Sequence, residues 1–244
     1  MKIITVASLK GGVGKTTIAV NLSIQSASGR KRILAVDLDA NNNLTDFFLR
    51  DTDPDELEGR NVLHALTRKR AIKDCIFPSS ISNLDILPAT VNLNRLNSEI
   101  NGNFALLVTF RTALLKTDYD FIIIDTPPYF GSELRAGLYS ADMVVSPVSP
   151  SRWIFLGTRL LADEIEIAAE GVSRKIRTLL VPSMVGSGKI ESEKLSILTE
   201  MFPLSKTHVL RSASIKSASE KGKPVKDGSP SQVIFKKLAE EILK

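Results

Sequence analysis

Residues Lys10 to Thr17 read Lys-Gly-Gly-Val-Gly-Lys-Thr-Thr and directly follow an apolar run, Ile3 to Ala7. A strand that leads into a glycine-rich loop and then into a helix is typical of a phosphate-binding site. The glycines let backbone N–H groups surround phosphate oxygens, and the helix presents the positive end of its dipole. A simple turn is the alternative, but the helical stretch from Thr16 to Ala27 favours phosphate binding.

The two lysines of this loop have different expected roles. Lys15 can reach the β- and γ-phosphates of a nucleotide, and Thr16 can ligate Mg²⁺. In the general pattern G-x-x-x-x-G-K-[ST] a glycine lies six residues before this lysine, but here that position is Leu9 and Lys10 follows it. Lys10 therefore gives the nucleotide site one lysine more than a single chain needs.

The composition is that of a globular protein, since 43% of the 244 residues are hydrophobic and 24% are charged. The single cysteine, Cys75, excludes an internal disulfide framework and is expected to be a small buried residue rather than a nucleophile. No apolar run approaches the ~20 residues needed to cross a bilayer, and the first apolar stretch is too short for a signal peptide. We therefore expect a soluble, cytoplasmic protein without stable membrane association.

The formal net charge of +5 is unevenly distributed along the chain. The segment from Ser205 to Lys226 contains six basic residues and one acidic residue, Glu220. A second basic cluster is Arg68-Lys69-Arg70 with the nearby Lys73. Both clusters are candidate contacts to nucleic-acid phosphates, and a solvated surface is the alternative for each.

Short apolar runs alternate with helix-length segments, which predicts βαβ units and an α/β fold. Phe121 to Ile124 are continuously apolar, as expected for a central strand of a mostly parallel sheet that helices cover on both faces. No linker divides the chain, so we expect a single domain spanning residues 1–244. The predicted strands are Lys2–Ser8, Arg32–Asp37, Leu84–Pro88, Tyr119–Asp125, Met143–Val148, Thr178–Pro182 and Thr207–Leu210, and the predicted helices are Thr16–Ser28, Asn103–Leu115, Gly131–Ser140, Phe155–Glu170 and Glu191–Met201.

Two other segments carry structural expectations. Asp51–Gly59 is acidic and rich in turn residues, which indicates a surface loop. Ser231–Leu243 has apolar residues at helical spacing, which indicates a terminal helix packed on the sheet. A membrane-surface helix is the alternative, but Glu240 and Glu241 disfavour it because interfacial helices prefer a basic polar face.

Carboxylates follow two of the predicted strands. Asp37 ends the second strand and Asp39 follows it, and Asp125 ends the buried run that starts at Phe121. Ligands of open parallel sheets bind at the carboxyl ends of strands, so these side chains can meet the phosphate loop. Asp125 is therefore placed to hold Mg²⁺, directly or through water, rather than to cap a helix or a turn.

These stretches together resemble the ParA/MinD family of P-loop ATPases with a deviant Walker A motif, and within it the ParA partition ATPases. The resemblance covers nearly the whole chain, and Lys10–Thr17 matches the deviant motif residue by residue. It implies a three-layer P-loop NTPase fold. The family's Asp-Pro-Gln-Gly-Asn stretch corresponds to Asp39–Asn43, in which Ala40-Asn41-Asn42 replaces Pro-Gln-Gly.

The resemblance implies a role for each matched residue. Lys10 is the signature lysine that crosses a dimer interface to the partner's nucleotide, Lys15 is the P-loop lysine, and Asp39 is the catalytic aspartate that positions or activates the attacking water. The implied nucleotide contacts are Gly11, Gly12, Val13, Gly14, Lys15, Thr16 and Thr17, with Pro182 and Met184 near the adenine. The implied Mg²⁺ ligands are Thr16, Asp39 and Asp125, and the implied DNA contacts are Lys189, Arg211, Lys216, Lys221 and Lys223.

The implied function is a Mg²⁺-dependent ATPase of weak intrinsic turnover that partitions DNA. An ATP-bound homodimer would bind double-stranded DNA non-specifically at the nucleoid, and a ParB-type centromere-binding partner would stimulate hydrolysis and release. Because the chain begins at the ATPase strand, operator binding through an N-terminal helix-turn-helix is not expected. The alternatives are a MinD-like membrane-associated positioning ATPase and a metabolic P-loop enzyme such as a kinase or ligase.

Overall fold

A computed structural model of the chain describes residues 1–29, 31–149, 154–185 and 202–243. Its strands are β1 (Lys2–Val6), β2 (Ile33–Asp37), β3 (Phe77–Pro78), β4 (Leu84–Leu87), β5 (Phe121–Asp125), β6 (Met143–Val148), β7 (Arg177–Val185) and β8 (Val209–Leu210). They form one sheet in the order β3-β4-β2-β5-β1-β6-β7-β8. Only the short β3 is antiparallel to its neighbour among these strands. The predicted mostly parallel sheet is confirmed.

Helices connect the strands and cover both faces of the sheet. The described part of the chain contains α1 (Lys15–Ala27), α2 (Asn43–Leu49), α3 (Pro54–Gly59), α4 (Val62–Leu66), α5 (Leu96–Ile100), α6 (Ala105–Leu114), α7 (Ser132–Ser140), α8 (Ile154–Gly171), α9 (Ala213–Glu220) and α10 (Pro230–Ile242), with 3₁₀ turns at Ile72–Cys75 and Val91–Arg95.

The central strand β5 feeds two separate cores because successive side chains point to opposite faces. Ile123 belongs to the core that α1, α2, α9 and α10 cover. Ile122 and Ile124 belong to the core that α4, α5, α6 and α7 cover, and α7 and α8 enclose a third cluster beside it. All three isoleucines are fully buried. The arrangement is the predicted three-layer α/β fold.

The prediction of a surface loop over Asp51–Gly59 is wrong in its secondary structure. Pro54–Gly59 forms α3, whose residues are all at least partly exposed. The helix begins there because the Asp53 side chain accepts a hydrogen bond from the N–H of Asp55 at 2.9 Å and Pro54 occupies the first helical position.

The chain end is a helix packed on the sheet, as predicted. Ser229 accepts a hydrogen bond from the N–H of Gln232 and caps α10, and Phe235, Leu238 and Ile242 are buried in the same core as α1. Cys75 is also buried, and burial raises the pKa of its thiol. In the described residues we find no helix with the length and apolar character needed to cross a membrane. The predicted helix Glu191–Met201 lies outside the described residues.

Candidate functional site

The glycine-rich loop joins β1 to α1, as the sequence predicts. Gly12 (φ 72°) and Gly14 (φ 91°) adopt left-handed backbone conformations that other L-residues rarely occupy. Among the residues that the structure describes, no heavy atom lies within 4 Å of the position that a Cβ atom would take at Gly11 or Gly12. At Gly14, which caps α1, a Cβ atom would lie 3.2 Å from Ser183 Oγ. The loop is therefore shaped by its glycines and is open on the side of Gly11 and Gly12.

The two lysines of the loop lie in contrasting environments. Lys15 is buried in the first turn of α1, and its Nζ donates a hydrogen bond to the carbonyl oxygen of Lys10 at 3.2 Å. Burial lowers the pKa of Lys15, and the nearby Asp125 and Asp39 oppose this effect. The side chain of Lys10 is exposed. The ammonium group of Lys15 thus stays within its own loop, whereas the side chain of Lys10 is open to solvent.

The carboxylates predicted to follow two strands do meet at one edge of the sheet. Asp37 and Asp125 are direct neighbours in the parallel pairing of β2 with β5, and Asp125 is also paired with Val6 of β1. Asp39 lies two residues beyond the end of β2, and it accepts hydrogen bonds from both nitrogens of Asn41 at 2.9 and 3.0 Å. The loop and all three aspartates therefore share the carboxyl edge of the sheet.

Asp37 is a fully buried carboxylate with a structural set of partners. It accepts hydrogen bonds from the N–H and the hydroxyl of Thr45 at 2.9 and 2.8 Å and from the N–H of Asp39 at 3.1 Å. Burial raises the pKa of Asp37 to about 6 despite these hydrogen bonds. Through its hydrogen bonds with Thr45, Asp37 therefore holds α2 against the end of β2.

Asp125 differs from Asp37 because neither of its buried oxygens has a hydrogen bond of normal geometry within the described residues. Burial, and then the neighbouring Asp37, raises the pKa of Asp125 well above its usual range, while the Thr16 hydroxyl and Lys15 lower it. A buried carboxylate without a partner is costly unless a cation or a water molecule completes it. Asp125 and Thr16 therefore fit a Mg²⁺ ion that takes its remaining ligands from phosphates and water.

The described residues offer no cluster of three acidic, histidine or cysteine side chains that could hold a metal ion.

A cavity of about 350 Å³ lies directly over the loop. Asp39 and Met184 face it together with the loop, but Lys10, Val13, Asp125 and Pro182 are not part of its lining. Val13 and Pro182 are buried, and Pro182 is paired with Val148 of β6. Asn41, Asn43 and Pro128, to which the sequence analysis assigns no site role, complete the wall. The predicted residues that line the cavity are Gly11, Gly12, Gly14, Lys15, Thr16, Thr17, Asp39 and Met184.

A second cavity of about 540 Å³ adjoins the first, since Gly14, Thr17 and Met184 line both. Its wall is mainly apolar and includes Val209 of β8 and Ile215 of α9. Met184 reaches it because the pairing of β7 with β8 shifts between Ser183 and Val185, where Met184 adopts a positive φ of 56°. An apolar slot beside a phosphate loop can hold the base of a nucleotide.

A family model described as an AAA domain matches residues 1–178. The chain is 30% identical to Soj, the sporulation initiation inhibitor protein of Bacillus subtilis, over 92% of this chain and 90% of that protein. It is also 30% identical to a ParA family protein of Chlamydia muridarum, over 100% of this chain and 98% of that protein. The chain belongs to the ParA family of P-loop ATPases.

Solved structures agree with this ParA family assignment at the level of the fold. A plasmid partition protein (BB_S35) of Borrelia burgdorferi bound to AMPPNP superposes with a TM-score of 0.82 at 22% identity, covering 99% of this chain and 98% of that one. The cell division ATPase MinD of Pyrococcus furiosus has a TM-score of 0.79 at 25% identity, with coverages of 99% and 98%.

The basic residues predicted to contact DNA in this ParA family member fall into two groups. Arg211 and Lys216 line the second cavity, and Lys216 lies 3.8 Å from Glu220 in an exposed ion pair. Lys221 and Lys223 are exposed just beyond α9. Lys189 lies outside the described residues. Part of the basic segment therefore borders the apolar slot rather than forming a separate surface.

Gly14→Ala and Gly11→Ala should differ in their effect on the free energy of unfolding. Gly14→Ala should lower the free energy of unfolding by roughly 1–2 kcal/mol, because alanine at this φ is strained and its Cβ would press on Ser183. Gly11→Ala should leave the free energy of unfolding within about 0.5 kcal/mol of the parent, since its Cβ would meet no heavy atom of the described residues within 4 Å. Urea unfolding without nucleotide measures both, and equal destabilisation would contradict this account of the loop.

Asp37→Asn should change how stability depends on pH. An aspartate whose folded-state pKa is raised to about 6 favours folding below about pH 4 and loses that contribution as the pH rises through 6. Relative to the parent, the variant should gain roughly 2–2.5 kcal/mol of unfolding free energy between pH 4 and pH 7 in nucleotide-free protein.

Asp51→Asn is the matched control, because Asp51 is exposed just after α2. The unfolding free energy is measured by denaturant titration at each pH. A difference between the parent and Asp37→Asn that stays constant with pH would show that the Asp37 carboxylate has no such role.

Proposed function

We propose that this protein is a Mg²⁺-dependent partition ATPase whose ATP-bound homodimer binds double-stranded DNA non-specifically. Hydrolysis, stimulated by a ParB-type centromere-binding partner, removes the γ-phosphate and releases the DNA. The protein would act in the cytoplasm at the nucleoid, with residues 1–244 as a single ATPase domain. The observation that carries the proposal is the contrast between two lysines of one phosphate loop. Lys15 is buried and its ammonium group stays within the loop, whereas the side chain of Lys10 is exposed.

The two lysines support an ATP-dependent dimer. Lys15 already points its ammonium group over the loop, where phosphate oxygens can replace the Lys10 carbonyl as acceptors. The Lys10 side chain is exposed beside the same loop and is therefore available to a nucleotide held by a second copy of the chain. A charge-assisted contact to phosphate is strong when the interface excludes water. The γ-phosphate can thus act as the bridge between two chains.

The aspartates support hydrolysis at this site. Asp39 lines the cavity and can accept a hydrogen bond from a water molecule that attacks the γ-phosphate. Asp125 and Thr16 would hold Mg²⁺, which neutralises developing charge on the phosphates when it is bound. Asn41 fixes the Asp39 carboxylate through two hydrogen bonds, so the replacement of the family's Pro-Gln-Gly still leaves this carboxylate oriented.

The late basic segment supports DNA binding under nucleotide control. Arg211 and Lys216 lie beside the apolar slot, so a base in that slot would contact the segment that carries the exposed Lys221 and Lys223. Dimerisation would double the number of cations facing a duplex. Each phosphate that a cation neutralises releases counterions. The affinity for DNA would therefore rise steeply on dimerisation and would decrease as salt is added.

The terminal helix favours DNA over a membrane as the surface that the protein binds. A membrane-surface helix must present its apolar face to lipid. Here Phe235, Leu238 and Ile242 of α10 are each 1% exposed, since they pack in the core with α1. A MinD-like membrane association through this helix would require it to leave the core.

Lys10→Ala should abolish ATP-dependent dimerisation while preserving nucleotide binding. We expect ATP affinity within about threefold of the parent and dimer affinity at least about tenfold weaker, because only the contact across the interface is lost. Sedimentation velocity with and without ATP measures the dimer. The matched control is Lys31→Ala, an exposed lysine at the opposite edge of the sheet. A Lys10→Ala protein that still dimerises with ATP would refute the cross-interface role.

Asp39→Ala should trap the ATP dimer on DNA. Loss of the carboxylate that orients water should reduce hydrolysis by about 100-fold or more without weakening ATP binding. Fluorescence anisotropy on an arbitrary duplex should then show binding that persists after excess ATP is removed. Co-sedimentation with anionic liposomes runs in parallel, and binding of the parent to liposomes but not to the duplex would favour the membrane alternative.

A further inference from the structure

A wide cleft of about 950 Å³ lies at the edge of the sheet opposite the phosphate loop. We call it the basic cleft and define it by Arg32, Arg68, Lys73, Thr112, Lys116 and Tyr119. Arg32 precedes β2 and Tyr119 precedes β5, whereas Asp39 and Asp125 lie at the carboxyl ends of those strands. The cleft and the nucleotide cavity therefore lie at opposite ends of the strands β2 and β5.

The acidic side chains of the basic cleft are already engaged. Asp118 forms an ion pair with Arg32, whose guanidinium also lies 5.2 Å from the centre of the Tyr119 ring. Asp85 accepts a hydrogen bond from the Tyr119 hydroxyl at 2.7 Å. Asp118 is thus paired with a cation and Asp85 keeps its charge, so the lining carries four cations against two carboxylates and is positive overall.

Three cations of the basic cleft have no carboxylate within ion-pair distance in the part of the chain that the structure describes. Arg68, Lys73 and Lys116 are exposed, and none of them forms an ion pair within the ranges that the structure describes. Arg68 and Lys73 belong to the second basic cluster of the sequence, and Lys116 lies two residues beyond the end of α6. The cleft therefore attracts an anionic ligand.

An exposed apolar stripe runs along α6 beside the basic cleft. Phe104, Val108 and Leu115 are 53%, 38% and 44% exposed. Their spacing of four and seven residues puts them on one side of the helix, next to Thr112 at the rim of the cleft. Exposed apolar side chains grouped in this way indicate a contact surface for another molecule.

We propose that the basic cleft and the apolar stripe of α6 together form a docking site for an acidic amphipathic helix of a partner protein. The acidic face of such a helix complements Arg68, Lys73 and Lys116, and its apolar face covers the α6 stripe. A nucleic-acid duplex could satisfy the cations, but it would leave Phe104, Val108 and Leu115 exposed to water. The combination of charge and apolar surface therefore selects a protein helix.

The position of the docking site implies that binding of the helix does not depend on the nucleotide cycle. Because the site lies at the opposite edge of the sheet, a bound helix does not compete with ATP. A cargo protein could remain attached while the nucleotide is bound, hydrolysed and released. Binding of the helix should accordingly have the same affinity with and without ATP.

The test uses a fluorescein-labelled synthetic peptide of about 18 residues, five helical turns, with leucines on one face and glutamates elsewhere. Fluorescence anisotropy with the full-length protein should give a micromolar Kd that rises with added salt. The double variant Lys73→Glu/Lys116→Glu and the variant Val108→Ser/Leu115→Ser should each raise this Kd by about tenfold or more. The matched control Lys236→Glu/Lys237→Glu, on the exposed face of α10, should leave it unchanged.

Unchanged ATP affinity and thermal unfolding in all variants would show that they remain folded. The proposal is overturned if the peptide does not bind, or if a peptide with lysines in place of glutamates binds equally well. It is also overturned if neither Lys73→Glu/Lys116→Glu nor Val108→Ser/Leu115→Ser changes the Kd of the peptide. It is likewise overturned if the cleft variants weaken binding of a DNA duplex as much as binding of the peptide, or if the parent self-associates through this face in sedimentation velocity.

Discussion

The parallel register of β1, β2 and β5 is the constraint on which the rest of the site depends. Val6, Asp125 and Asp37 lie side by side across three strands, so the phosphate loop and two carboxylates leave the sheet at the same level. A shift by one residue would turn Asp125 from one face of the sheet to the other and separate it from Thr16. The continuous apolar runs of these strands, packed by helices on both faces, hold the register in place.

The local features of the fold and of the phosphate site could be predicted from the sequence. Lys10–Thr17 encodes its own loop through glycine conformations, and the apolar run before Asp125 encodes a buried strand with its carboxylate at the end. The helix α3 also has a local signal, the capping residue Asp53 followed by Pro54 at the first helical position. The acidic, turn-rich composition of the segment predicts a loop instead. These elements depend on interactions between residues that are close in the chain.

Features built from distant segments could not be predicted in the same way. The apolar slot combines Gly14, Met184 and Ile215, and the placement of Met184 depends on an irregularity between β7 and β8. Strand alternation alone does not indicate that Met184 faces the nucleotide cavities while Pro182 is buried away from them. The basic cleft likewise joins segments around positions 32, 70 and 117, which no single stretch of sequence reveals.

The hydrogen bond from Lys15 to the Lys10 carbonyl has a thermodynamic consequence. The Lys15 side chain is buried, and its ammonium group has an acceptor within its own loop. A phosphate therefore exchanges one acceptor for another instead of recruiting a solvated side chain, and little conformational entropy is lost at this position. A phosphate that accepts this hydrogen bond instead would free the carbonyl oxygen of Lys10, the residue whose side chain faces outward.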